Sequence, residues 1–168
     1  MAVPTLAEVK RHLSIKASDY DDILPAVITA AIAYVGMECG PLESTSVTTR
    51  VPGGGDLLVL PVRPLLSVTS VTGKSGAVVP ASTYTVWTDY ASVSAVAGGC
   101  FSEDYYDVVY AAGRTTCPGP LAEAVKWTVS DMWSPVRGPA AGVAGSEPIS
   151  ARARAEFYMA PYKLGVVG

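Results

Sequence analysis

Several residues in this chain have side chains that could do chemistry, and their spacing decides what chemistry is open to them. His12 is the single histidine and sits beside Lys10 and Arg11. Cys39, Cys100 and Cys117 are odd in number and far apart, with no C-x-x-C, so neither a zinc ribbon nor a disulfide framework is expected. They read as small buried thiols, and His12 as an exposed or partner-facing residue. A Cys–His dyad stays open as a distant alternative, because such partners need not be close in sequence. Asp19, Asp21 and Asp22 start like a calcium loop but lack its glycine and its distal glutamate, so they read as helix-capping carboxylates. Gly73-Lys74-Ser75 resembles the end of a phosphate loop. Val68 stands where that motif needs its first glycine, and Ser75–Pro80 cannot supply the following helix. It reads as a hairpin turn, as does Gly53-Gly54-Gly55. Glu103, Asp104 and Asp107 alternate with tyrosines and suggest a solvated strand edge. No G-x-S-x-G elbow occurs. No catalytic residue, cofactor or metal is expected.

The aromatic residues carry more. Trp127 and Trp133 are six positions apart on one helical pattern, so they cannot both face one core, and one should meet a partner or another layer. Phe157, Tyr158 and Tyr162 cluster with Arg152, Arg154 and Lys163 near the C-terminus. This cluster either packs on its own domain or forms an interaction arm. Tyr, Phe and Arg are enriched at interface hot spots, and the Gly/Pro/Ala run before it favours the arm.

Composition limits the chain that must position these residues. Its 168 residues are 49% hydrophobic and only 16% charged, with 16 Gly and 13 Pro. About 25% charge is usual for a soluble domain. High hydrophobicity excludes intrinsic disorder. The longest apolar uncharged run, Ile23–Met37, contains Pro25 and falls short of the roughly 20 residues a bilayer needs, so no membrane partner is expected. No signal peptide is expected at the N-terminus. The net charge of −3 comes without any Lys/Arg run, which argues against a phosphate-gripping surface. A charge-poor soluble chain should have much of its surface covered by other subunits.

The pattern predicts an α+β fold: a small helical bundle with an inserted antiparallel β-subdomain and a C-terminal helix or arm. Thr5 and Glu8 have capping-box spacing ahead of a helix over 6–13. A second helix is expected over 20–38, capped by the Ser18–Asp22 run and ended by Gly36 and Gly40-Pro41. Ala30 and Ala33 keep its flank small enough for close approach of a neighbour. Short strands follow over 44–51, 57–60, 65–72, 83–87, 92–96 and 105–110, making a β-insert over 44–112. The cleanest amphipathic pattern lies over 121–134 and should stop at Ser134-Pro135. The expected organisation is therefore a domain over 1–134, a linker over 135–147, and a helix and tail over 148–168.

In this order, the motifs resemble a known family. Thr5-Leu6-Ala7-Glu8-Val9-Lys10 with Leu13, an Asp-rich cap and Ala30-Ala31 with Ala33-Tyr34-Val35 are similar to the opening of head–tail connector (adaptor) proteins of long-tailed bacteriophages. So are Leu60-Pro61-Val62 with Pro64-Leu65, Tyr84 with Val86, Val108–Gly113 with Pro118, and the helix from Leu121. Ala155-Glu156 with Ala160-Pro161-Tyr162 resembles the C-terminus of actinobacterial phage members. Cys39-Gly40-Pro41 departs from the commoner Thr-Gly-Arg type ending.

The resemblance implies a non-catalytic virion protein of the neck, assembled in the host bacterial cytoplasm. It implies a ring homo-oligomer, twelvefold on the portal, that joins the portal to the stopper or tail and extends the channel through which DNA passes. On that reading Arg152, Arg154, Phe157, Tyr158 and Tyr162 are expected at the portal interface, and Ala30, Ala33, Trp127 and Trp133 at the subunit interface. Alternatives are another neck protein, such as a stopper or tail terminator, and a small enzyme.

Overall fold

The computed structural model describes residues 2–16, 18, 20–137 and 150–164. It has four helices and two small antiparallel sheets, the α+β class expected from the pattern. The chain divides into a helical unit, 1–42 with 116–168, and a β unit, 43–115, each with its own core.

In the helical unit, α1 (Leu6–His12) begins with the expected capping box. The Thr5 hydroxyl accepts from the Glu8 N–H, and the Glu8 carboxylate accepts from the Thr5 N–H at 2.8 Å. The second helix, α2 (Leu24–Cys39), starts four residues later than expected. Pro25 fits the first turn, where an N–H is not needed, and Ile23 takes the cap position without any side-chain cap. Residues 20–23 form a turn instead, and Asp21 pairs with Lys10 rather than capping a helix. Asp19 lies outside the described residues. Gly36 is helical, and α2 ends at Gly40, whose φ of 80° suits glycine.

The third helix, α3 (Gly119–Arg137), runs past Ser134-Pro135, which was expected to stop it. A proline removes one intrahelical bond and need not end a helix. The expected linker is thus shorter at its start, and its remainder, 138–147, lies outside the described residues. The last helix, α4 (Ala151–Met159), follows Ser150, whose hydroxyl accepts from the Ala153 N–H at 3.1 Å. Val9, Leu24, Ile28, Ala31, Val35, Leu121, Val125, Val129 and Met159 meet in one core.

In the β unit, β1 (Thr45–Pro52), β6 (Tyr105–Ala112) and β3 (Leu65–Gly73) pair in that order. The second sheet has the order β2 (Leu57–Val59), β5 (Ser92–Ala95), β4 (Tyr84–Trp87). Period-two alternation puts Tyr106, Val108, Tyr110 and Ala112 of β6 inward, against Val51, Leu65 and Val71. β6 is a central strand, so its acidic start is not the sheet edge that the alternation suggested. Glu103 accepts from the Ser75 N–H at 2.7 Å and the Ser75 hydroxyl at 2.8 Å, Asp104 pairs with Lys74, and Asp107 takes a two-pronged grip from Arg50. The Gly73-Lys74-Ser75 turn is held by these carboxylates and has no phosphate-loop geometry.

Candidate functional site

The residues singled out for binding fall mostly on α3 and α4 of the helical unit. Helical spacing turns Ala155 and Met159 of α4 into the core, and both are buried. The opposite side carries Phe157, which is 75% exposed. α4 is thus one of the packed helices of its unit, not an appendage beside it. The C-terminal turn is tied down as well. Lys163 reaches both Glu38 of α2 and Glu156 of α4, and the Leu164 N–H donates to the Glu38 carbonyl at 3.1 Å. Hydrogen bonding to Lys163 holds the Glu156 carboxyl below its usual range and raises the lysine.

The five expected portal residues do not form one patch. Arg154, Phe157 and Tyr158 line a cleft of about 420 Å³ together with Ala153 and Trp127. Arg152 lines a different hollow, of about 180 Å³, with Tyr34, Asp131 and Met132 among its walls. Tyr162 sits in a 3-10 turn, Ala160–Tyr162, packed against the helical core. The guanidinium of Arg154 lies over the Trp127 ring, 4.4 Å from its centroid, and Phe157 meets Tyr158 edge-on at 5.6 Å.

The two tryptophans of α3 divide, as their spacing required, but not toward two partners. Trp133 is only 3% exposed and packs edge-on against Tyr20 at 5.1 Å. It serves its own unit's core and is not available to a neighbour, which corrects the expectation for it. Trp127 is half-buried between Arg154 and His12, whose ring meets it edge-on at 4.7 Å. His12 is therefore an internal contact and not an exposed residue. Burial lowers its pKa, with Glu123 acting in the opposite sense. Ala30 and Ala33 are exposed on α2, in line with exposed Ile23, Ala26 and Met37.

A second apolar surface was not anticipated. On the outer face of the β2-β5-β4 sheet, Val59, Ser92 and Trp87 form one cross-strand row, and Leu57, Ser94 and Thr85 the next. Leu57, Val59 and Trp87 are each about half exposed. The continuous apolar run Leu57–Leu60 held the signal, since such a run puts apolar side chains on both faces.

Chemistry of other kinds finds little support. Among the described residues no group of three His, Cys, Asp or Glu could hold a metal ion. Among them, too, no buried side-chain nitrogen or oxygen lacks a partner. The cysteines form no disulfide, and Cys100 is exposed where a buried thiol was expected. No helix among the described residues is long and apolar enough to cross a membrane. What the helical unit offers is two hollows on packed helices, one apolar with a single arginine and one with Arg152 beside Asp131 and Glu156.

This architecture, a helical unit interrupted by a two-sheet β unit, has counterparts among known structures. No protein-family model and no curated protein matches the sequence. Solved structures do match in fold. A chain in the neck of an empty gene transfer agent particle, computed with C6 symmetry, aligns with a TM-score of 0.69 at 22% identity, over 100% of this chain and 95% of that one. A chain in the neck of the native particle, computed with C12 symmetry, aligns with a TM-score of 0.67 at the same identity and coverage. So does a chain in the virion of the native particle.

Proposed function

We propose that this chain is a structural neck protein of a phage-like particle, an adaptor that forms a ring between the capsid portal and the stopper or tail. The observation that carries this reading is the full-length fold likeness to chains of a gene transfer agent neck. The connector resemblance of the sequence, which runs through the chain in the same order, points the same way, and its C-terminal run likens it to actinobacterial phage members. The ring is twelvefold when seated on the portal, extends the DNA channel, and is assembled in the bacterial cytoplasm. A ring also accounts for the composition: neighbours cover apolar, charge-poor faces that a free monomer would leave in water. The net negative charge lets DNA slide past without being gripped, because phosphate contacts to cations are what create binding.

Within the ring, the helical unit is the connector body and the C-terminal segment meets the portal. Arg152, exposed on α4, and Tyr162 form that contact from a packed position. Arg154, Phe157 and Tyr158 line a cleft whose occupant is argued next. Electron microscopy of necks assembled with the portal tests the reading. A ring of this chain directly beneath the portal is expected. Its placement one ring further down would make it a stopper, and its absence from the neck would overturn the proposal.

A further inference from the structure

The cleft on α3 and α4 has two properties that together specify an occupant. Its walls are apolar and aromatic: Trp127, Ala153, Phe157 and Tyr158. Its one charge is the Arg154 guanidinium, which lies on the Trp127 ring and has no carboxylate partner among the described residues. A segment that fits must bring a bulky apolar side chain and a carboxylate close together. A guanidinium stacked on an aromatic ring keeps its N–H fork open to a carboxylate, which it can hold through two bonds.

The same chain presents such a segment. In the turn before α2, Tyr20 is 41% and Ile23 43% exposed, large apolar residues left facing solvent. Asp22 stands between them, exposed, and unlike Asp21, which Lys10 holds, it has no ion-pair partner among the described residues. Segment and cleft also lie on different sides of the unit. Tyr20 touches Trp133, the cleft is floored by Trp127, and six residues of helix turn the two tryptophans about 120° apart around α3. A knob on one side and a complementary hollow on another make a head-to-tail contact, the kind that closes into a ring when the rotation permits.

We infer that the Trp127–Arg154–Phe157 cleft receives the Tyr20–Ile23 turn of a neighbouring copy of this chain, with Asp22 pairing to Arg154 across the seam. The occupant is a second copy because charge and apolar content match from both sides with no further component. This rests on the ring reading above and assigns Arg154 to the seam between subunits.

Necks assembled from the full chain test the pairing by charge reversal and by cross-linking. Arg154→Glu and Asp22→Arg should each reduce ring formation at least about tenfold, the scale of a lost interface hot spot. The double reversal should restore it. In a Cys100→Ser background, Ala153→Cys with Asp22→Cys should give a ladder of disulfide-linked oligomers under oxidation, and neither single cysteine should. Both positions are exposed, so circular dichroism melts should match wild type. Rings that form normally with Arg154→Glu, or that assemble but give no ladder, overturn the seam and leave the neck reading intact. Necks without any ring of this chain overturn the neck reading and the seam with it. A reversal that blocks portal docking while rings still form would assign the cleft to the portal and overturn the seam.

Discussion

The Cys39 thiol donates to the Met159 carbonyl at 3.8 Å, tying the last residue of α2 to the last residue of α4. Met159 is fully buried there, so the C-terminal helix contributes to the core that holds α2 and α3. Met159→Ala should therefore destabilise the chain by about 2–5 kcal/mol, the range for deleting a buried methionine side chain. Phe157→Ala, on the exposed side of the same helix, should stay within about 0.5 kcal/mol. Urea unfolding of both variants checks this. Truncation before Ser150 should likewise lower the unfolding midpoint, whereas a dispensable arm would leave it unchanged.

Glu103 restricts two glycines, one through its side chain and one through its backbone. A Cβ on Gly73 would run into the Glu103 carboxylate, which can swing away at the expense of its bonds to Ser75. A Cβ on Gly53 would run into the Glu103 backbone carbonyl and the Tyr106 ring, which cannot. Gly53→Ala should cost about 3 kcal/mol and Gly73→Ala about 1 kcal/mol, the first through packing strain and the second through lost hydrogen bonds. Melting temperatures of the two variants give the order directly. Equal costs would mean that the Glu103 backbone yields as readily as its side chain.

How much of this could be read before the structure depends on range. The capping box at Thr5 and Glu8 was legible because both partners lie within one helical turn. The strands were legible from alternation, and their division into two sheets was not. Nothing local says that β6 enters between β1 and β3 rather than beside β5. The clusters were harder. Arg154 over Trp127 and Tyr20 against Trp133 join residues far apart in sequence, so aromatic content suggested contacts without naming their partners. The grouping of Arg152, Arg154 and Tyr162 failed for a related reason. Two arginines two positions apart on a helix point about 160° away from each other, and proximity in sequence hid that.

Lys163 makes the C-terminal turn sensitive to pH at both extremes. Its bond to Glu156 holds that carboxyl below the ordinary 4.5, so the stabilisation is complete above 4.5 and fades as pH falls through the lowered folded value. The lysine itself is raised above 10.5, so its contribution is complete below 10.5 and fades as pH rises through the raised value. Lys163→Met should lower the melting temperature between those limits, and the difference from wild type should vanish in acid. A difference that persists after Glu156 is protonated would trace it to packing of the lysine stem.

His12 acts on the acid side with a different origin. Burial against Trp127 lowers its pKa, so folding favours the neutral ring. Stability from this group is complete above its ordinary 6.5 and declines as pH falls from there to the lowered folded value. His12→Phe keeps an edge-on ring against Trp127 and cannot titrate. Its melting temperature should show a shallower decline below pH 6.5 than wild type, and an identical decline would assign the loss to carboxylates instead.

The outer face of α2 should decide assembly without affecting folding. Ile23, Ala26, Ala30, Ala33 and Met37 repeat at three- and four-residue intervals, and all are exposed. Such a stripe matches the close-packed seam between two helices, and small residues let the backbones approach. It begins at Ile23, the last residue of the turn assigned to the neighbouring cleft, so one subunit contact would run from that turn along α2. Ala33→Arg places a long charged side chain in the middle of that seam. At an exposed helical site the change from alanine costs the fold only a few tenths of a kcal/mol. Ala33→Arg should thus keep the wild-type melting temperature and fail to form rings beneath the portal, seen by negative-stain microscopy. Lys163→Met, whose position faces α2 and α4 within one subunit, should form them normally. Normal rings from Ala33→Arg would remove this face of α2 from the subunit contact.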